Sequence, residues 1–333
     1  MIRASLLAVA LSFTTEAAIA QTGPIERDGL AAIPAPRTIP RTTEGHPDFS
    51  GNWDHAFITT TGRMQGARSL VVSDAEARAI SDAMVRWAYS DGAGVIIDPD
   101  FFVANVTDLL RVDGEWRTSL ITSPADGVQH YTDLGKKLEA AYIARRDGTP
   151  NDPEARPLFE RCLVGVGSAP LTPIPARMVR HFIQTDDHLV ISTEGNDVRI
   201  VGINALPRPP GMVSPLGDST AHWEGDTLVV HTTMVSGQIH TQIITRPKSR
   251  IIERFRMSGP DELFYQFSVE DTEIYAEPFS AEFVMHRTSD PVLEYACHEG
   301  NYSIVNILKA GRVADAKARN KAMATRPGKE KRS

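Results

Sequence analysis

From residue 178 to 296 the chain is a succession of short β-branched or alternating runs, each closed by turn residues. The runs are 178–184, 188–193, 198–203, 227–233, 239–245, 249–257, 262–269, 279–287 and 293–296. Between them stand turn sequences such as Asp186-Asp187, Gly195-Asn196, Glu224-Gly225-Asp226, Gly259-Pro260-Asp261 and Ser289-Asp290. Strands at near-regular spacing with no helix between them predict a meandering antiparallel sheet. An open meander leaves two unpaired edges, and closing it into an up-and-down barrel removes them. The interior of such a small barrel takes side chains or one small ligand.

The residues before 178 read differently. Arg3, the apolar run 6–13 and Ala18-Ile19-Ala20 ahead of Gln21 have the pattern of a cleavable signal peptide over 1–20. That run is too short to span a bilayer, so the expectation is a periplasmic or secreted protein with no integral membrane association. Residues 21–46 are proline-punctuated and read as a linker. Ser73 and Glu76 form a capping box ahead of a helix over 74–89, with Ala77, Ile80, Met84, Val85 and Trp87 at helical spacing. Asp113-Gly114 predicts a hairpin between 109–112 and 115–122. A second helix is expected over 132–146, with Leu134, Leu138, Ala141 and Tyr142 on one face. The whole is mainly β: a single barrel domain over 47–312 with an N-terminal helical and hairpin extension, then a C-terminal helix and basic tail over 313–333. Residues 309–333 hold nine Lys/Arg against two Asp/Glu, so the formal charge of −7 describes an acidic body offset by a basic end. That balance argues against a nucleic-acid partner held through phosphates.

Export makes the cysteines informative. Cys162 and Cys297 are the only two, and in an oxidising compartment they read as a disulfide. Two buried free thiols remain an alternative, as does a reactive thiol or metal site beside His298; without C-x-x-C spacing the signal for metal is weak, and no metal is expected.

None of the high-specificity catalytic motifs occurs: no G-x-S-x-G, H-E-x-x-H, P-loop or G-x-G-x-x-G. Gly165 and Gly167 lie outside any βαβ unit, so no nucleotide cofactor, and no other cofactor, is expected. What remains are polar clusters. His222-Trp223-Glu224-Gly225-Asp226 leads into the strongest strand and reads either as a hairpin turn capped by Trp223 or as part of a site. Cys297-His298-Glu299-Gly300-Asn301-Tyr302 joins a His to a carboxylate, either as an acid–base pair or as a hydrogen-bond network tying strand to helix. Of Glu253 and Arg254, one faces inward and requires a partner. Arg254 then either grips a substrate anion or closes the barrel as a structural salt bridge. His181, His188, His231, His240 and His286 are scattered on strands, each as readily a half-buried His as a ligand.

Several segments together carry a resemblance. They are Val112-Asp113-Gly114-Glu115-Trp116-Arg117-Thr118-Ser119-Leu120-Ile121, Glu160-Arg161-Cys162-Leu163, Gly217-Asp218-Ser219 with Trp223-Glu224-Gly225-Asp226-Thr227-Leu228-Val229-Val230, Glu253-Arg254-Phe255 and Glu294-Tyr295-Ala296-Cys297-His298-Glu299-Gly300-Asn301-Tyr302. This set resembles a large sphingomonad-type family of exported bacterial proteins of similar length, over roughly residues 47–312. The resemblance, with the opening Gly51-Asn52-Trp53, implies a lipocalin/calycin-like barrel and implies no activity. The chain departs from the family pattern at 204–211, where the family runs through an Asp-Gly-Arg-Pro-His-like loop. It departs again at 234–240, where the family has an aromatic and Asn/Thr-Asp stretch. Loops of this kind set ligand choice.

Three functions fit these residues. The first is an exported, cofactor-independent enzyme (a lyase, isomerase or hydrolase) acting on a small, largely apolar or aromatic molecule in the barrel. In it His298 is acid or base, Glu299 or Asp226 orients it, Arg254 or His222 stabilises negative charge, and Trp223, His240 and Tyr302 contact the substrate. The second is a periplasmic carrier of the same shape, and the third a structural envelope protein with no ligand. A barrel packed solid with side chains points to the third.

Overall fold

The structure is a computed structural model. It describes residues 38–88, 90, 108–148, 150–156, 160–163, 167–173, 178–195, 197–240, 243–294 and 296–324. The chain divides into Met1–Ala35 and Pro36–Ser333, and every described residue belongs to the second unit. The expected signal peptide, most of the expected linker, Tyr295 and the last nine residues of the basic tail lie outside the described residues.

In chain order the elements are β1 (Gly51–Asp54), β2 (Val71–Val72), α1 (Asp74–Ala88), β3 (Leu110–Val112), β4 (Glu115–Arg117), β5 (Ile121–Ser123) and α2 (Asp133–Asp147). There follow β6 (Arg180–Gln184), β7 (His188–Thr193), β8 (Val198–Ile203), β9 (Asp218–Glu224), β10 (Thr227–Thr233), β11 (Gln238–His240) and β12 (Ile243–Thr245). Last come β13 (Arg250–Gly259), β14 (Glu262–Glu270), β15 (Phe279–Thr288), α3 (Cys297–Gly300) and α4 (Tyr302–Ala324). Nine strands close a barrel in the order β1-β6-β7-β8-β9-β10-β13-β14-β15, with β15 pairing back to β1 through Trp53↔Arg287.

The meander is there, and the barrel is closed. It is mixed rather than purely antiparallel, because β8 and β9 run parallel, with Val201 opposite Ser219 and Ile203 opposite Ala221. The strand missing from the sequence reading, 218–224, explains this. Parallel neighbours need a crossover, and here residues 204–217 carry the chain from the end of β8 back along the barrel. Pro207, Pro209 and Pro210 keep its first part off any sheet ladder, and only Ser214 makes an isolated bridge, to Val235. It is fastened at its end by Asp218, which accepts from the Arg208 backbone N–H at 2.7 Å. Gly217 makes the entry into β9: its φ is +73°, and a Cβ there would sit 2.7 Å from the Thr233 carbonyl oxygen. We expect Gly217→Ala to cost about 1–3 kcal/mol, read as a lower urea midpoint at unchanged m.

Two further expectations change. Residues 239–245 form not one strand but the two short strands β11 and β12, which pair with each other apart from the barrel. Of residues 293–296, the described ones, Leu293, Glu294 and Ala296, are not in a strand. Pro291 withholds a donor from any ladder, and the Leu293 N–H goes instead to the Glu194 carboxylate at 3.3 Å.

The N-terminal extension forms as its local signals direct. Glu76 accepts from the Ser73 N–H and Ser73 Oγ from the Glu76 N–H, completing the capping box of α1. Ala77, Ile80 and Met84 pack with Ile58, Leu109 and Trp116 in a small second core. Asp113 and Gly114 take φ of 50° and 81°, the left-handed pair a two-residue hairpin demands. In α2 the expected apolar face is not a core face: Leu134 and Leu138 stay exposed. The helix is anchored by Thr132, whose hydroxyl accepts from the Gly135 N–H, and by Tyr131 stacked on Tyr275.

Burial alternates along β13 and β14 residue by residue, as one wet and one dry face require. The dry face lines the interior of the barrel. Trp53, Phe182, Phe255, Phe267, Phe283 and Tyr265 are all fully buried, in edge or tilted ring contacts such as Phe255–Tyr265 and Tyr265–Phe283, both 4.9 Å. Each contributes roughly 2–3 kcal/mol of apolar burial.

Candidate functional site

The barrel has two ends. One carries the β6–β7 and β9–β10 turns. The other carries the β7–β8 turn and the segment 167–173.

Most of the polar residues singled out by sequence stand at the first end. Trp223 is half-buried against the core, stacked by His46 at 4.3 Å and by Phe49 at 5.6 Å. Asp226, in the turn, is held by both terminal nitrogens of Arg41 at 2.9 and 2.6 Å. Residues 38–47, expected to be largely linker, are thereby tied to the barrel. Arg254 points outward, as the alternation of β13 dictates, and bonds Glu224 at 2.8 Å. His222 reaches the same carboxylate at 3.3 Å and stacks on His231. The hydrogen bonds from Arg254 and His222 hold Glu224 below the usual carboxylate range. Burial and the neighbouring His222 keep the His231 imidazole below its usual value. This group lies on the outer wall, so Arg254 serves no ligand inside the barrel.

His298, Glu299 and Tyr302 stand elsewhere. The chain leading to them is fastened to Glu194 in the β7–β8 turn, at the opposite end from Glu224–Asp226. His298 and Glu299 are exposed on the single turn α3, and Tyr302 is exposed at the start of α4. The motif around them has a mechanical content. Cys297 forms the disulfide with Cys162 that the sequence predicts. Asn301 donates to the Glu160 carbonyl at 2.8 Å and accepts from the Ile304 N–H, so it caps α4 and ties it to the cysteine loop at once. The two His-carboxylate motifs are therefore not brought together. Of His240 only the backbone is described, in β11 paired to Ile243.

The densest polar cluster is one the sequence reading missed except for Glu253. Residues 167–173 are buried throughout and plug the second end of the barrel. The Gly167 N–H reaches Asp197 in the β7–β8 turn, the Leu171 N–H reaches the Tyr265 hydroxyl, and the Thr172 carbonyl accepts from Arg180. Beneath the plug, Glu253 takes two 2.8 Å bonds from Arg199 and one of 2.7 Å from Tyr265. Both its oxygens are engaged, and a carboxylate so saturated is a brace rather than an acid–base group. Burial and the adjacent Glu253 push the Tyr265 hydroxyl well above its usual range, so it is a phenol at any physiological pH.

Arg180 is different. It is fully buried on β6, and its guanidinium bonds the His55 Nδ1 at 2.9 Å and the Thr172 carbonyl at 3.1 Å. No carboxylate among the described residues lies within ion-pair distance. Burial pulls its pKa down to about 10, with Asp54, Tyr265 and Glu194 acting in the opposite direction. It remains a cation at neutral pH. Because an arginine only donates, His55 must present an unprotonated Nδ1 and carry its proton on Nε2. Phe57 and Phe283 face the imidazole at 5.4 and 6.3 Å, so the polar group has apolar walls. Alternation could have flagged Arg180 and Arg199, since each shares the inward face of its strand with apolar residues, Phe182 for Arg180 and Val201 and Ile203 for Arg199. Among the described residues no group of three or more His, Cys, Asp or Glu side chains is placed to hold a metal ion.

No protein-family model and no curated protein matches the chain.

Proposed function

We propose that the chain is an exported, cofactor-independent enzyme that performs acid–base chemistry of the lyase, isomerase or hydrolase kind on a small, largely apolar molecule. The reaction is placed at the Arg180–His55 pair beneath the plug. The observation that carries this reading is Arg180, a fully buried cation whose partners are a neutral imidazole and a carbonyl. Such a group costs several kcal/mol of desolvation (on the order of 3–5) that a purely structural role would offset with a carboxylate. Buried, perturbed titratable groups concentrate where chemistry is done. In this reading Arg180 stabilises negative charge that develops on the substrate. His55 supplies the acid–base group, and Phe57 and Phe283, which flank its imidazole, meet the apolar body. The disulfide supports an oxidising compartment.

A carrier of the same shape is the second reading. It is favoured by the saturation of Glu253 and Tyr265, which leaves those two groups to architecture. Native mass spectrometry of the protein isolated from its own host identifies the bound molecule, and incubation with that molecule separates the readings. Conversion that falls about 100-fold or more in Arg180→Gln and His55→Ala supports the enzyme. Unchanged ligand supports the carrier. Conversion that survives in those variants but is lost in His298→Ala or His222→Ala moves the chemistry to the exposed motifs and overturns the assignment.

A further inference from the structure

We propose that Arg180, Thr193 and Arg199 form a binding site for the carboxylate of a small monocarboxylic acid. This deepens, and rests on, the reading that a small molecule is received inside the barrel. The ladder registers bring the three side chains together. Arg180 on β6 is directly opposite Thr193 on β7. Arg199 on β8 is opposite Ile191, which makes Thr193 its diagonal neighbour on the same inward face. All three are 0–2% exposed.

Each of them leaves one polar atom without a hydrogen-bond partner among the described residues: Nε of Arg180, Nε of Arg199 and Oγ1 of Thr193. Thr172 Oγ1, on the residue whose carbonyl already meets Arg180, is a fourth. Buried polar atoms in folded proteins are paired almost without exception, so a cluster of orphans marks a place built for something else. The pattern defines what fits. Two N–H groups and two hydroxyls offer donors to an acceptor-rich group with more than one oxygen. Both guanidinium groups use their terminal nitrogens elsewhere, on Glu253 for Arg199 and on His55 and Thr172 for Arg180, so Nε is the donor that each leaves over.

Charge decides between a neutral and an anionic group. Arg199 is compensated by Glu253, whereas no carboxylate among the described residues lies within ion-pair distance of Arg180. Water would satisfy the donors alone; a carboxylate satisfies them and adds a counter-charge beside Arg180. The inner faces around the three residues are apolar, with Phe182, Ile191 and Val201 fully buried beside them. The remainder of the ligand is accordingly a short aliphatic or aromatic body.

Acetate and benzoate, tested beside acetamide and benzamide, isolate the charge, since each pair shares its shape. At about 50 mM the carboxylates are expected to raise the melting temperature by about 3 °C, and the amides by less than half of that. Calorimetric titration should show benzoate bound at least tenfold more weakly by Arg180→Gln and severalfold more weakly by Thr193→Val. Thr193→Val keeps the volume of the residue and stands alone should Arg180→Gln fail to fold. Amides that bind as well as carboxylates overturn the anion site and leave the small-molecule reading intact. Benzoate affinity unchanged in both variants overturns it in the same way. Binding of none of the four probes overturns the carboxylate assignment, while the turnover measurement above still judges the enzyme reading on its own.

Discussion

Glu253→Ala is expected to lower stability by about 3–5 kcal/mol, because it strands the Arg199 guanidinium in the centre of the barrel with no counter-charge. The side chain is fully buried, accepts twice from Arg199, and also takes the Tyr265 hydroxyl. Removing it therefore orphans a cation and a phenol together. The melting temperature should fall by roughly 10 °C or more, at roughly 2–4 °C per kcal/mol for a domain of this size. The double variant Arg199→Met/Glu253→Leu separates the value of the pair from the penalty of breaking it. Buried ion pairs replaced by apolar side chains of similar volume are often neutral or stabilising. Most of the lost stability should return, and a double variant as unstable as Glu253→Ala would show that the bonds themselves hold the barrel.

Reduction of the disulfide, or Cys297→Ser, is the second large effect. The bond joins positions 135 residues apart, and in the chain-entropy model a loop of that length is worth about 5 kcal/mol, with removal of native disulfides from exported domains costing about 2–5 kcal/mol. The loss should be uneven across the molecule. The barrel strands keep their ladders, while α3 and α4 keep, among the described residues, the hydrogen bonds made through Asn301 and contacts in mid-helix such as Asn151–Asp315 and Arg312 to the Asn151 carbonyl. Limited proteolysis under reducing conditions is thus expected to release the C-terminal helix before the barrel is cut. Release no faster than in the oxidised protein would contradict this placement of the bond.

The elements legible in the sequence were those with a local cause. The capping box at Ser73 and the Asp113-Gly114 turn act through backbone geometry within a few residues, and strands such as 188–193 and 227–233 carry β-branched alternation. What was not legible depended on distant partners. Strand β9 begins Asp218-Ser219-Thr220, a polar run that reads as loop until Ser219 is seen meeting Thr232 inside the barrel at 2.8 Å. Inward Arg180 and Arg199 are apolar positions by alternation, and their meaning comes from Glu253 and His55, which are 54 and 125 residues away. The motifs that looked chemical for their residue types did local mechanical work instead: Asn301 caps a helix, and Asp226 holds Arg41. Rarity of composition pointed to the joints of the structure. The buried cluster was assembled from residues that look ordinary one at a time.

The closure of the barrel also sets a clock on folding. Strand β1, near the start of the described chain, finds its two neighbours at residues 180–182 and 286–288. Its contacts are thus among the most distant in sequence that the molecule makes, and high contact order slows folding. A chain appearing from its N-terminus can build the β6–β8 and β13–β15 meanders as it grows, yet cannot seat Trp53 until β15 exists. Refolding followed by tryptophan fluorescence should then lag behind refolding followed by far-ultraviolet circular dichroism, with burial of the β1 seam as the last event. A chain ending before residue 279 would keep that seam open and remain a substrate for chaperones.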